Sequence, residues 1–102
     1  MTAAPSSMIV RQRLNLLRLQ SDLTDQELAF LYGVTARTLY NWSEGKRAPT
    51  GLRGRKAEQV SVGLCTALAK GLLPLANLDK EQRRDRLTRM RKQLDVAVQN
   101  KL

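Results

Sequence analysis

The sequence predicts an all-α fold of five helices, and three observations lead to this prediction. Apolar residues make up 42% of the 102 residues and aromatic residues only 4%, so the core has to be built from aliphatic side chains, mainly leucine. Apolar residues recur at spacings of three and four, as they do on one face of a helix. The chain has only three prolines and no strand-like alternation of apolar and polar residues. A chain of this length forms one small domain.

The first helix is predicted to run from Ser7 to about Gln20, after a disordered tail over residues 1–6. Ser7 is a residue type that caps helices at their start. Val10, Leu14 and Leu17 then follow at i, i+4 and i+7, which gives the helix one apolar face.

Two short helices joined by a tight turn are predicted next. Thr24 and Glu27 have the spacing of a capping box, and Gly33 is the residue type that ends a helix, so a second helix of about eight residues is expected between them. Thr35 can cap a third helix over about 36–43, which Gly45 ends. This arrangement predicts a helix-turn-helix.

The remaining chain is predicted to be a loop and two helices. Segment 45–56 is rich in glycine and carries five basic residues and no acidic one, so we expect a loop there. A fourth helix is predicted over about 56–70, and a fifth from Asn77 or Asp79 to about Gln99. The apolar residues of the fifth helix form a short heptad-like seam, which either packs on the domain or pairs with a second copy of the chain. We predict dimerisation through this seam, which consists of Leu87, Met90, Leu94, Ala97 and Val98.

The charge of the chain indicates a polyanionic partner. Lysine and arginine number 18 against nine aspartate and glutamate, a net charge of +9, which is typical of nucleic-acid binding. Cys65 is the single cysteine and histidine is absent, so no disulfide within the chain and no Cys/His metal site can form. The apolar neighbours of Cys65 favour a structural thiol.

We expect a cytoplasmic protein associated with the nucleoid. No apolar run approaches the roughly 20 residues that span a bilayer. The first residues also lack the basic and apolar pattern of a signal peptide.

The third helix has two different faces on a helical wheel. Leu39 and Trp42 fall on one side and would anchor the helix. The other side presents four candidate base contacts: Ala36, Arg37, Tyr40 and Asn41. Arginine can hydrogen-bond guanine O6 and N7, asparagine can hydrogen-bond adenine N6 and N7, and alanine or tyrosine can contact a thymine methyl group.

The segment LTDQELAFLYGVTARTLYNWSEGKRAP, residues 23–49, resembles the helix-turn-helix of the phage repressor/Cro-like (Xre-type) DNA-binding proteins. The resemblance covers about residues 16–49 and implies a Cro/repressor-like DNA-binding domain over 7–76, followed by a basic amphipathic helix over 77–102. The matching residues are Gln26, Leu28, Ala29, Gly33, Val34, Thr38, Leu39, Trp42, Glu44, Gly45 and Pro49.

The resemblance also implies roles for individual residues. The four presented residues of the third helix stand where such proteins read bases. Gln26 and Thr35 stand where such proteins bind phosphates with the help of the helix dipole. The family often has glutamine at the positions of Ala36 and Arg37, so its target sequence cannot be carried over. The basic loop exceeds the minimal family domain, and we expect phosphate contacts or a minor-groove arm from Lys46, Arg47, Arg53, Arg55 and Lys56.

These observations predict a sequence-specific regulator that binds double-stranded DNA. The resemblance implies a dimeric repressor of phage, plasmid or mobile-element type on a palindromic operator, because such domains commonly read two half-sites about 34 Å apart. One alternative is an accessory DNA-binding protein in transposition, partition or conjugation. Another is an antitoxin-type module whose fifth helix binds a protein. We expect no enzymatic activity and no cofactor, because there is no histidine and GLRGRK lacks the spacing of a phosphate-binding loop.

Overall fold

Five α-helices make up the part of the chain that the computed structural model describes, residues 6–75 and 77–101. No strand occurs within these ranges, which confirms the predicted helical class and the number of helices. The helices are α1 (Ser6–Gln20), α2 (Asp25–Tyr32), α3 (Ala36–Glu44), α4 (Gly51–Ala69) and α5 (Lys80–Lys101).

Side-chain caps and glycines set the ends of α2, as predicted. The Glu27 amide donates to Thr24 Oγ1 at 3.1 Å and the Thr24 amide donates to Glu27 Oε1 at 2.9 Å, which completes the capping box. Gly33 ends α2 with φ +72°, a left-handed conformation that glycine adopts without a steric penalty.

The start of α3 also agrees with the prediction, and its end lies one residue later. The Thr38 amide donates to Thr35 Oγ1 at 3.1 Å, so Thr35 is the cap. Gly45 follows Glu44 with φ +74° and ends the helix.

Two predicted boundaries are wrong. Helix α1 begins at Ser6, one residue before the predicted cap Ser7, and the remainder of the predicted tail, residues 1–5, lies outside the described residues. Helix α4 begins at Gly51, so half of the predicted loop over 45–56 is helical and Arg53, Arg55 and Lys56 lie on α4. The glycines were interpreted as breakers, whereas Gly54 is buried inside the helix, where a small residue permits close packing.

The core is aliphatic and centres on α1. Val10, Leu14 and Leu17 are fully buried, and α1 packs against α4 and α3. Tyr32 closes one side of the core: its hydroxyl hydrogen-bonds Ser61 Oγ at 2.5 Å, and its ring meets that of Trp42 edge-on at 6.3 Å between centroids. Burial raises the pKa of the Tyr32 phenol, so this hydroxyl stays protonated.

The fifth helix begins at Lys80, directly after Asp79, which was one of its two predicted starts and caps it. The Gln82 amide donates to Asp79 Oδ1 at 2.8 Å, and the Asp79 amide donates to Gln82 Oε1 at 3.1 Å. Asn77 lies before the helix with φ +63°.

The apolar seam of α5 packs within the chain, against α2 and α4. Leu87, Leu94 and Val98 are buried, Met90 is half-buried and only Ala97 is exposed. All of these residues except Ala97 are thus covered at least in part within one chain, and their pairing with a second copy stays a prediction. A dimer through these residues would require α5 to leave the core.

The described residues form no membrane span and no metal-binding cluster. No helix among them is both long and apolar enough to cross a bilayer. No group of three or more metal-ligating side chains comes together in the same ranges. Cys65 is a half-buried free thiol on α4, and burial raises its pKa, which favours the unreactive protonated form.

Candidate nucleic-acid interface

Helix α3 presents one face to solvent and anchors the other in the core. Leu39 is fully buried and Trp42 is 4% exposed. On the other face Arg37 and Tyr40 are exposed, whereas Ala36 and Asn41 are half-buried. Ala36 also packs against the edge of the core.

Arg37 is the most available of these candidates. Its side chain forms no hydrogen bond or ion pair with any other described residue. The hydroxyl of Thr35, by contrast, is engaged within the helix start: it accepts from the Thr38 amide and donates to Thr38 Oγ1 at 3.0 Å. Thr35 is nevertheless exposed, and its predicted phosphate contact stays a prediction.

A small polar cluster surrounds Tyr40. Its hydroxyl donates to Glu44 Oε1 at 3.2 Å, and Lys46 Nζ lies 5.0 Å from the centroid of its ring. Sequence reasoning matched Glu44 to the family pattern but gave it no role at the site. The i, i+4 spacing of Tyr40 and Glu44 is the signal that could have joined them. A carboxylate here can accept a hydrogen bond from a cytosine amino group.

Contacts from α1 fix the C-terminal end of α3. Asn15 Nδ2 donates to the Ser43 carbonyl oxygen at 3.1 Å, and Arg18 Nη1 donates to Ser43 Oγ at 3.0 Å. Arg18 also binds both carboxylate oxygens of Asp25, at 3.0 and 3.2 Å, and so joins the end of α3 to the start of α2. These contacts set the orientation of α3 relative to α2.

Arg11 lies on the same face of α1 as Asn15 and Arg18, and the three residues form a row along that helix. The Arg11 guanidinium lies 2.8 Å from where a β-carbon on Gly45 would stand, and the positive φ of Gly45 favours glycine at this position. Sequence reasoning did not identify the row of Arg11, Asn15 and Arg18. Its spacing of i, i+4 and i+7 was the available signal.

Two acidic residues flank the predicted phosphate contact Gln26 at the start of α2. Gln26 is exposed, but it is the second residue of α2, and the first is Asp25. Glu27 follows and is bound by Arg83 of α5 at 2.6 and 2.9 Å. The hydrogen bond from Arg83 lowers the pKa of the Glu27 carboxyl, although burial opposes this shift. Two ionised carboxylates thus offset the positive end of the α2 dipole.

The predicted basic residues occupy three different settings. Lys46 and Arg47 are exposed in the turn after α3. The Arg53 guanidinium carbon lies 5.7 Å from the Trp42 ring centroid, a cation–π contact that joins α4 to α3. Arg55 is exposed and Lys56 is half-buried on α4.

No family model, no curated protein and no solved structure matches this chain. The fold and the surface of α3 therefore define its class: over the described residues it is an all-α protein with five helices, one of which presents a polar face, and its sequence carries a net charge of +9.

Proposed function

We propose that this protein binds double-stranded DNA sequence-specifically and regulates transcription, with α3 as the recognition helix of a helix-turn-helix. The observation that carries the proposal is the setting of the Arg37 side chain. Its guanidinium is exposed and unpaired among the described residues, on a helix that Leu39 and Trp42 hold in the core. The net charge of +9 supports a polyanionic partner.

Base reading would involve Arg37 and Asn41. They are one helical turn apart, which is about 6 Å along the helix axis. When the helix follows the major groove, this spacing lets the two side chains contact base pairs that are about two base steps apart. Arginine is suited to guanine and asparagine to adenine. The contacts of Asn15 and Arg18 with Ser43 support this role, because base reading requires a helix of fixed orientation.

Backbone contacts would come from residues around α3. Lys46, Arg47 and Arg55 are exposed cations, and Gln26 is an exposed amide. Such contacts set the position of the protein on the duplex and carry no sequence information.

The repressor role and the dimer rest on the resemblance to repressor/Cro-like proteins. Repression would follow from occlusion of a promoter. A second copy would have to bind through a surface other than the buried seam of α5, because Leu87, Leu94 and Val98 are covered. The same helices would serve an accessory protein of transposition, partition or conjugation, and the position of the bound site distinguishes these roles.

One observation favours a protein-interaction module as a second candidate. Leu72 is 57% exposed and lines a groove between α4 and α5 together with Ala67 and Met90. Arg86 and Arg89 line the same groove, so a protein partner there would be acidic. Copurification of a defined acidic protein would reveal this role.

Selection from a random pool of duplex DNA tests the proposed function. We expect an enriched motif, and two half-sites about 10 base pairs apart if the protein binds as a dimer. Retention of DNA without enrichment of any sequence would exclude sequence-specific regulation. A chain that retains no duplex at low salt would exclude DNA binding altogether.

A further inference from the structure

We infer that Arg91 of α5 and Lys56 of α4 together bind one phosphate of the DNA backbone, beside the turn that precedes α3. This inference rests on the proposed function and adds to it a phosphate-binding residue on α5, a helix on which the sequence analysis names no individual DNA contact.

The two cations converge on Gly33. The position that a β-carbon on Gly33 would occupy lies 3.6 Å from Arg91 Nη2 and 3.8 Å from Lys56 Nζ. An anion at this point could therefore contact both side chains at once. Gly33 is itself exposed, so an anion can approach from solvent.

Phe30 holds Arg91 in place. The guanidinium carbon lies 4.8 Å from the centroid of the Phe30 ring, within the range of a cation–π contact. Stacking on an aromatic face restricts an arginine side chain without neutralising it. Arg91 is half-buried, so its position is further limited by α2 and α5.

Neither cation has an anionic partner among the described residues. Arg83, about two turns earlier on α5, provides the contrast, because it donates to Glu27 and to the Asp22 carbonyl oxygen. The α2-facing side of α5 thus carries one arginine that is neutralised and another that is placed beside a lysine. Two adjacent unpaired cations repel each other, and an anion between them removes that repulsion.

The position of the pair favours a DNA phosphate. Gly33 stands three residues before Ala36, the first residue of α3, so the anion would lie beside the N-terminus of the proposed recognition helix. The other end of α2 carries Asp25 and Glu27, each paired with an arginine, so it lacks the surplus of positive charge found beside Gly33. Gln26, Phe30 and Gly33 recur at i, i+4 and i+7 on one face of α2, and Gln26 and Phe30 line the groove toward α5.

The test is the salt dependence of binding to a fluorescein-labelled, mixed-sequence duplex, measured by fluorescence anisotropy. Arg91→Gln and Lys56→Gln are compared with Arg89→Gln, which removes the same charge from an exposed position of α5. We expect Arg91→Gln to lower the slope of log affinity against log salt by about one unit. Its effect should be smaller in the Lys56→Gln background, because both residues would bind one phosphate.

A conservative variant separates this role from packing on Phe30. Arg91→Lys keeps the charge and should keep most of the salt slope. If Arg91 had a purely structural role, Arg91→Lys and Arg91→Gln would both melt at lower temperature and would show the same salt slope.

The outcomes separate the inference from the proposed function. If the wild-type chain binds the duplex and Arg91→Gln matches Arg89→Gln, the inference fails and DNA binding stands. If the wild-type chain binds no duplex, both fail. A third arm titrates inorganic phosphate and follows the Gly33 amide by NMR. A saturable shift there, together with an unchanged duplex slope in Arg91→Gln, would assign the site to a free anion and overturn the inference.

Discussion

Arg83 of α5 binds both carboxylate oxygens of Glu27, at 2.6 and 2.9 Å, in the first turn of α2. The two side chains are 23% and 19% exposed, so the pair is mostly shielded from water. Glu27 also completes the capping box of α2. One carboxylate therefore fixes both the start of α2 and the position of α5.

The first prediction is a loss of stability in acid that depends on Glu27. The folded protein holds the pKa of this carboxyl below its ordinary value of 4.5, chiefly through Arg83. The stabilisation is therefore fully present above about pH 4.5 and is lost as the pH falls through the lower pKa of the folded state. Thermal melts across pH 2.5–6 check this. The Glu27→Gln variant should melt at lower temperature than wild type at pH 6, and the gap should narrow in acid. A gap that stays constant with pH would show that the carboxyl does not titrate with folding.

The second prediction concerns Arg37. Arg37→Ala should weaken binding to the selected site by about 1–3 kcal/mol and relax selection at one base pair. The physical reason is the loss of a two-donor contact to a base edge. Repeating the selection with the variant measures both effects. A uniform weakening on all sequences would instead make Arg37 a phosphate contact.

The third prediction separates Arg55 from Arg53. Arg55 is exposed on α4, so Arg55→Gln should lower affinity on every sequence and reduce the salt slope by about one unit, with the melting temperature unchanged. Arg53 stacks on Trp42, so Arg53→Gln should also lower the melting temperature. Anisotropy titrations over a salt series, paired with thermal melts, distinguish the two. An unchanged slope in Arg55→Gln would remove this residue from the backbone contacts.

The fourth prediction tests how α5 uses its apolar seam. Leu94 is 9% exposed, so Leu94→Ala should destabilise the fold by about 2–5 kcal/mol. Ala97→Ser, on the same seam but exposed, serves as the control and should have little effect. Because the packing lies within one chain, the loss should be the same at all protein concentrations. A melting temperature that rises with wild-type concentration, and a Leu94→Ala loss that disappears on dilution, would indicate a dimer seam instead.

The helix starts and stops were predictable because their signals are local. Thr24, Gly33, Thr35 and Gly45 each act on residues within one turn of themselves. Segment 45–56 was not predictable from the same reasoning. A glycine destabilises an exposed helix but permits close packing in a buried one. Whether Gly54 is buried depends on how α4 packs in the folded chain.

The two faces of α3 were also predictable, because periodicity alone separates Leu39 and Trp42 from Arg37. The contacts that hold α3 were not. Asn15 and Ser43 are 28 residues apart, and Arg83 and Glu27 are 56 apart, so no local pattern joins them. The seam of α5 shows the same limit: its spacing indicates an apolar face but not which surface covers that face.

The first turn of α2 is the meeting point of the first and the last helix. Arg18 of α1 holds Asp25, and Arg83 of α5 holds the adjoining Glu27. Through Ser43, Arg18 also reaches the last turn of α3. A partner that binds α5, or a fusion that displaces α1, would therefore alter a residue that contacts α2 or α3, close to the proposed recognition helix. We therefore expect a change at α1 or at α5 to reach α3 through Arg18 and Arg83.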